Sequence, residues 1–179
     1  MEKEQSVRCL GGFLMDVGRM DEQAFSDRHG MAFLLYHGIL GDLTKSAGTG
    51  DTLACEAKPG ESKSFSPRND FLVFPLQKRT AGDDLIWLGR SSGNDVVIPD
   101  ASVSAVHAFI DVKQQGKFTT FHIQDSNSSN GTRVNDQEVA VQGQGPQVPI
   151  DSMSRIHLGS VELLFLRAPE FYSLVSRIG

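Results

Sequence analysis

Several residues in the C-terminal half of the sequence have side chains suited to holding an anion. Arg90 follows Gly89 after an apolar run, and an arginine at a strand end can give a phosphate group charge-assisted, often paired hydrogen bonds. Ser104 adds a hydroxyl that can donate to another oxygen, and Asn130 adds an amide that is both donor and acceptor. These residue types favour recognition of a phosphate group, which presents strong acceptor oxygens.

Each of these residues also has a purely structural interpretation. Arg90 would then be a surface arginine in a solvated loop, and Ser104 a turn or cap serine. Asn130 and Gly131 form the commonest tight-turn pair, because both residue types tolerate positive φ. For Asn130 the two interpretations are compatible, since a turn residue can also contact a ligand.

Other chemistry finds little support in the sequence. No GxGxxG pattern precedes a helix and no GxSxG nucleophile elbow is present. The five histidines form no HExxH motif and no pair four residues apart, so we expect neither a metal nor another cofactor. An enzyme would need an unrecognised active site in residues 1–69, where nothing pairs a nucleophile with a base. We therefore expect a binding protein and not an enzyme.

Composition narrows the partners and the location. The formal net charge of −5 argues against nucleic acid as the main partner, although a local basic pocket can still bind one anionic group. No segment reaches the roughly 18 apolar residues that a membrane span requires, and the first residues do not form a signal peptide. We expect a cytoplasmic protein in which Cys9 and Cys55, with no CxxC motif, are free thiols.

The first 69 residues divide into two regions. Residues 1–42 are expected to be a helical extension, with one helix near 6–19 and a second that begins at Asp21 and ends at His29-Gly30. The apolar run Met31 to Tyr36 is either a buried strand or a continuation of that helix, and the glycines at both of its ends favour a strand. Residues 43–69 are rich in Gly, Ser, Thr, Lys and Asp, which is typical of a linker or long loop.

Residues 70–168 have a different pattern. Short apolar runs alternate with turn signals, which predicts a mainly β domain built as an antiparallel sandwich. Residues 169–179 predict a closing helix with Pro169 in its first turn and an apolar stripe of Phe171, Leu174 and Val175.

An ordered set of motifs runs through this third region. Its members are Gly89-Arg90, Asp95 to Ile98, Ser104 with His107, Asp125 to Thr132, and Leu158-Gly159. Each motif alone is weak, but the set in this order and at these spacings resembles the forkhead-associated (FHA) domain over residues 72–167. The resemblance implies a β-sandwich of about eleven strands that binds phosphothreonine peptides through loops at one end.

The resemblance also implies roles for individual residues. Arg90 and Ser104 would contact the phosphate, Asn130 would bond the peptide backbone, and Ser129 would be a lesser contact. Support of the binding loops would come from Gly89, His107, Gly131 and Thr132. The implied partner is a phosphorylated protein downstream of a Ser/Thr kinase, and the two ends of the chain loosely resemble extensions of bacterial single-FHA proteins.

One position departs from the family pattern. FHA domains often carry Arg, Lys or Asn directly after the serine, whereas this chain has Ala105. The loss of one charged hydrogen bond weakens binding by about 1.5–3 kcal/mol, unless another residue such as Arg133 compensates. A phosphate-independent FHA scaffold for protein assembly is therefore the alternative function, and the oligomeric state stays open.

Overall fold

The structure is a computed structural model that describes residues 7–37, 71–79 and 84–178. Its helices are α1 (Leu14–Val17), α2 (Glu22–His29) and α3 (Ala168–Ile178), with a 3-10 turn at Leu10–Phe13. Its strands are β1 (Arg8–Cys9), β2 (Ala32–His37), β3 (Phe71–Pro75), β4 (Leu85–Gly89), β5 (Val96–Val97), β6 (Ala108–Gln115), β7 (Phe118–Asp125), β8 (Thr132–Val134), β9 (Gln137–Glu138), β10 (Val148–Ile150), β11 (Arg155–Leu158) and β12 (Val161–Arg167).

The strands form two sheets. One sheet has the order β1-β3-β2-β12-β11-β8-β9, and the other has the order β10-β7-β6-β4-β5. Among these strands, β4 and β5 pair in parallel, and every other pairing is antiparallel. The predicted antiparallel sandwich with an N-terminal helical part and a short C-terminal helix is confirmed.

The main core lies between the two sheets and follows the two-residue period of the strands. In β12, Val161, Leu163 and Phe165 are buried in this core, whereas Leu164 and Leu166 belong to a second cluster. The larger sheet is therefore covered on both faces. This explains why its strands appear in the sequence as unbroken apolar runs.

The second cluster joins the larger sheet to the helices. The ring of Phe33 in β2 stacks on Phe171 of α3, with centroids 4.1 Å apart and planes 21° apart. Phe13 and Phe25 meet both of these rings and are themselves fully buried. The layers are thus helices, a seven-stranded sheet and a five-stranded sheet.

The N-terminal predictions have mixed outcomes. The helix expected near residues 6–19 is wrong as one element, because Cys9 is extended (φ −67°, ψ 153°) and pairs with Leu72, and the glycines at 11 and 12 disfavour a helix. The second helix is confirmed, with the Asp21 carboxylate accepting from the Ala24 N–H at 2.8 Å and Gly30 at φ 108° after its last turn.

The apolar run after Gly30 is a strand, as predicted, and lies inside the larger sheet. This strand, β2, pairs with β3 on one side and with β12 on the other. Part of the predicted extension thus contributes directly to the sandwich. The linker predicted for residues 43–69 lies outside the described residues, and the domain boundaries drawn there stay predictions.

The expectation of free thiols is wrong for Cys9, which is disulfide-bonded. The sequence gives no local signal of such a bond, because a disulfide depends on the approach of two Cβ atoms in space. Cys55 lies outside the described residues. The cytoplasmic location stays a prediction. None of the helices in the described part of the chain has the length and apolar character of a membrane span.

Candidate functional site

The residues singled out in the sequence come together at one end of the sandwich, in three loops and a turn. The first loop, residues 90–95, follows β4, and the second, residues 98–107, precedes β6. The third loop, residues 126–131, joins β7 to β8, and the turn at 159–160 joins β11 to β12. Hydrogen bonds between these segments hold them together, as the following contacts show.

The first two loops approach each other at Gly89. A Cβ atom at this position would lie 2.4 Å from the Ala105 carbonyl oxygen, so only glycine allows the approach. The same carbonyl accepts hydrogen bonds from the Asn94 amide at 2.7 Å and from the Ser91 hydroxyl at 2.8 Å. The backbone around Ala105 is therefore fixed from several directions, although its methyl group is exposed.

Arg90 is exposed and its guanidinium is oriented by the neighbouring loop. Its Nε donates to the Val103 carbonyl at 3.1 Å, and its backbone N–H donates to the Ser104 carbonyl at 2.9 Å. Within the described residues, neither terminal nitrogen of this guanidinium has a hydrogen-bond partner. The side chain is thus anchored at Nε.

Ser104 lies directly beside this arginine. Its hydroxyl oxygen accepts a hydrogen bond from the backbone N–H of Ser129 at 3.0 Å, which links the second loop to the third. The hydroxyl proton is not used in that bond and can be donated. Ser129 itself is exposed, so its own hydroxyl lies at the same surface.

His107 joins the second and third loops from below. Its side chain is fully buried, its Nδ1 accepts from the Ser104 N–H at 3.0 Å, and its Nε2 lies 3.0 Å from the Gly131 carbonyl oxygen. Since Nδ1 is the acceptor, Nε2 carries the proton and donates it to Gly131. Burial lowers the pKa of His107, although the bond to Gly131 and the charge of Asp125 oppose this shift.

Asn130 is exposed at the tip of the third loop. Its amide nitrogen donates to the Ser102 carbonyl at 2.8 Å, which assigns the orientation of the amide because a carbonyl only accepts. Within the part of the chain that the structure describes, the amide oxygen and the second amide hydrogen have no hydrogen-bond partner. Gly131 has φ 78°, a backbone conformation that favours glycine and completes the turn.

Asp125 is a supporting residue that the sequence analysis quoted only as part of a motif. Its carboxylate is buried and accepts from the Ser128 N–H at 2.9 Å, the Ser128 hydroxyl at 2.6 Å and the Thr132 hydroxyl at 2.6 Å. This one carboxylate therefore connects the start of the third loop to its middle, at Ser128, and to the residue that follows its end, Thr132. An aspartate followed closely by serine and asparagine is a typical turn signal, which was the available clue.

A second cation does not join Arg90 in these segments. Arg90 is the one lysine or arginine in residues 89–107, 125–132 and 158–160, all of which the structure describes. Arg133, named as a possible helper, is exposed between buried Thr132 and Val134 in β8 and pairs in register with His157. In the described chain no cluster of three or more His, Cys, Asp or Glu is placed to hold a metal ion.

The family model of the FHA domain matches residues 86–159, a range that contains the three loops and the first residue of the turn, Gly159. The chain contains an FHA domain. The motifs that suggested this family in the sequence are thus the segments that meet at the end of the sandwich.

Several solved structures are similar to this chain, and some of them are FHA domains by name. The MEK1 FHA domain, in complex with a phosphothreonine peptide of HOP1, is 22% identical, with 53% of this chain and 87% of that chain covered and a TM-score of 0.42. The FHA domain of CT664 from Chlamydia trachomatis is 19% identical, with 75% of this chain and 96% of that chain covered and a TM-score of 0.45. The yeast splicing factor Pml1 is 17% identical, with 92% of this chain and 95% of that chain covered and a TM-score of 0.47. No curated protein sequence matches this chain.

Proposed function

We propose that this FHA domain binds a phosphothreonine segment of a phosphorylated protein and acts as a signalling adaptor downstream of Ser/Thr kinases. The observation that carries the proposal is the arrangement of Arg90 beside Ser104. The guanidinium is held through Nε while its terminal nitrogens are unpaired within the described residues, and the serine has a free hydroxyl proton. Together they offer a dianionic phosphate one full charge and several aligned donors.

Asn130 supports recognition of a peptide and not of free phosphate alone. Its remaining amide oxygen and amide hydrogen match the N–H and C=O groups of an extended backbone. Because Ser102 orients the amide, the conformational entropy lost on binding is reduced. We infer that the phosphate lies against Arg90 and Ser104 while the adjoining backbone lies against Asn130.

The same geometry supports binding without catalysis. His107, the one histidine in the described loops, uses both ring nitrogens in hydrogen bonds and is fully buried. The Asp125 carboxylate accepts three hydrogen bonds from Ser128 and Thr132. Neither group is available as a general base without breaking the loop structure, so we propose that the chain is not an enzyme.

A binding experiment tests this proposal. A phosphothreonine peptide library and its unphosphorylated counterpart are titrated against the wild type, Arg90→Ala and Arg133→Ala. We expect phosphate-dependent binding by the wild type and by Arg133→Ala, which removes an exposed arginine outside the loops. Arg90→Ala should bind about 10- to 150-fold more weakly, because one charged contact is worth about 1.5–3 kcal/mol. Absence of phosphate-dependent binding in the wild type overturns the proposal.

The exposed, uncharged Ala105 favours a second candidate function. With one cation in the loops, phosphate contributes less to affinity, and the domain could serve as a phosphate-independent scaffold for protein assembly. In that case a partner captured on the wild-type protein stays bound after phosphatase treatment. Release by phosphatase rules out the scaffold and agrees with the first proposal.

A further inference from the structure

Ser102 connects Asn130 to the turn between β11 and β12. Its carbonyl accepts the Asn130 amide hydrogen at 2.8 Å. Its hydroxyl donates to the Asp100 carboxylate at 2.7 Å and accepts from both the backbone N–H and the hydroxyl of Ser160, at 3.0 and 2.8 Å. A serine hydroxyl has one donor and two acceptor positions, so every position on Ser102 is used and its orientation is fixed.

The turn that carries Ser160 is fitted closely against the same residues. Gly159 has φ 61°, and a Cβ atom there would lie 2.4 Å from the Ser102 carbonyl oxygen. Its backbone N–H donates to the Gly131 carbonyl at 3.1 Å. The turn therefore contacts Ser102, which orients Asn130, and also Gly131, which follows Asn130 in the chain.

We propose that Ser160, acting through Ser102, is a positioning residue for Asn130, and that the 159–160 turn supports the peptide-binding loops. This inference rests on the proposed function and deepens it. Ser160 contacts no ligand in this scheme. It holds the Ser102 carbonyl where the amide of Asn130 meets it, so that the free amide oxygen and hydrogen point to the peptide.

The hydroxyl of Ser160 is tested first. Ser160→Ala removes one hydrogen bond to Ser102, and we expect its affinity for a phosphothreonine peptide to be about 2- to 10-fold lower. Ser160→Thr keeps a hydroxyl and should restore most of the affinity. Ser173→Ala, an exposed serine on α3, is the matched control and should bind as the wild type does.

Alanine substitutions at two glycines distinguish the effect of the contact with Ser102 from the effect of backbone strain. Gly159 and Gly116 have φ of 61° and 63°, so alanine at either position has a similar conformational cost. A Cβ atom at Gly116 meets nothing within 4 Å, whereas at Gly159 it displaces the Ser102 carbonyl. We expect Gly159→Ala to lose at least tenfold in affinity and Gly116→Ala to keep wild-type affinity.

A measurement without peptide separates this inference from the proposed function. In the NMR spectrum of the free protein, Ser160→Ala should shift the side-chain NH₂ signals of Asn130. The NH₂ signals of Asn94, which bonds the Ala105 carbonyl in another loop, should not move. If the wild type binds no phosphopeptide, the proposed function fails while this readout still tests the positioning. Wild-type affinity together with unmoved Asn130 signals in Ser160→Ala overturns the inference.

Discussion

The Nε2 atom of His107 donates to the carbonyl of Gly131 across a distance of 3.0 Å, and this bond ties the second loop to the third. The other ring nitrogen accepts from the backbone N–H of Ser104. A proton added at Nδ1 would replace that acceptor with a donor. The loops therefore depend on a neutral ring, and burial supports this by lowering the pKa of His107.

The first prediction concerns pH. The pKa of His107 is below 6.5 in the folded chain and near 6.5 in the unfolded chain. As the pH falls through this range, the folded state therefore binds fewer protons than the unfolded state does. The contribution of His107 to stability is complete above pH 6.5 and is lost as the pH falls from there towards the folded-state pKa. Urea unfolding of the wild type should show this decrease, and His107→Gln should show a smaller one.

A remaining decrease in His107→Gln is expected from His29. Burial is the largest cause that lowers the pKa of His29, followed by the charge of Arg8, so the sign of its effect is the same. His29→Gln alone should therefore reduce the slope as well, and the double variant should have a smaller slope than either single variant. Equal slopes in His107→Gln and the wild type contradict the assignment for His107.

The second prediction uses the close approach at Gly89. In Gly89→Ala the Cβ atom would lie 2.4 Å from the Ala105 carbonyl oxygen, so the first two loops must separate. We expect phosphopeptide affinity to fall below detection and the melting temperature to decrease. Gly93→Ala in the same loop is the control, because its Cβ atom meets nothing within 4 Å. Similar losses in both variants would contradict a specific effect of the contact.

The third prediction concerns the base of the third loop. Thr132→Val keeps the shape of the side chain but removes the 2.6 Å hydrogen bond to the buried Asp125 carboxylate. The free energy of unfolding should decrease by about 1.5–3 kcal/mol, as for hydrogen bonds to charged groups. Chemical denaturation measures it, with the half-buried Thr119→Val in β7 as control. A loss as small as that of the control would show that water replaces the hydroxyl.

Much of the fold could be predicted because its signals are local. Alternating apolar residues and turn residues indicated the strands, and Asp21 indicated the start of α2 by a capping interaction within three residues. Position in the sheet is not a local property. The run from Ala32 to Leu35 is buried on both faces because β2 lies between the five-stranded sheet and α3, and no short window of sequence specifies those neighbours.

The site shows the same division. Arg90, Ser104 and Asn130 were predicted from the order and spacing of the motifs. These motifs could be recognised because the loops need particular residues at particular positions in order to fold. The support of Asn130 was not found, because Ser102 and Ser160 are 58 residues apart and neither has a periodic or compositional signal. Hydrogen bonds between loops depend on the tertiary structure that brings the loops together, so the sequence alone does not indicate them.

The last prediction addresses the departure at Ala105. The methyl group is exposed while the backbone carbonyl is held by Ser91 and Asn94, so a longer side chain can be added without disturbing the loop. Ala105→Arg would place a second cation near Arg90 and should tighten phosphopeptide binding about tenfold or more, because one charged hydrogen bond is worth about 1.5–3 kcal/mol. Val106→Arg adds the same charge one residue later and controls for net charge. Isothermal titration at two salt concentrations distinguishes them: a direct contact in Ala105→Arg persists in salt, whereas a general charge effect is screened. Equal gains in both variants would mean that position 105 does not face the phosphate.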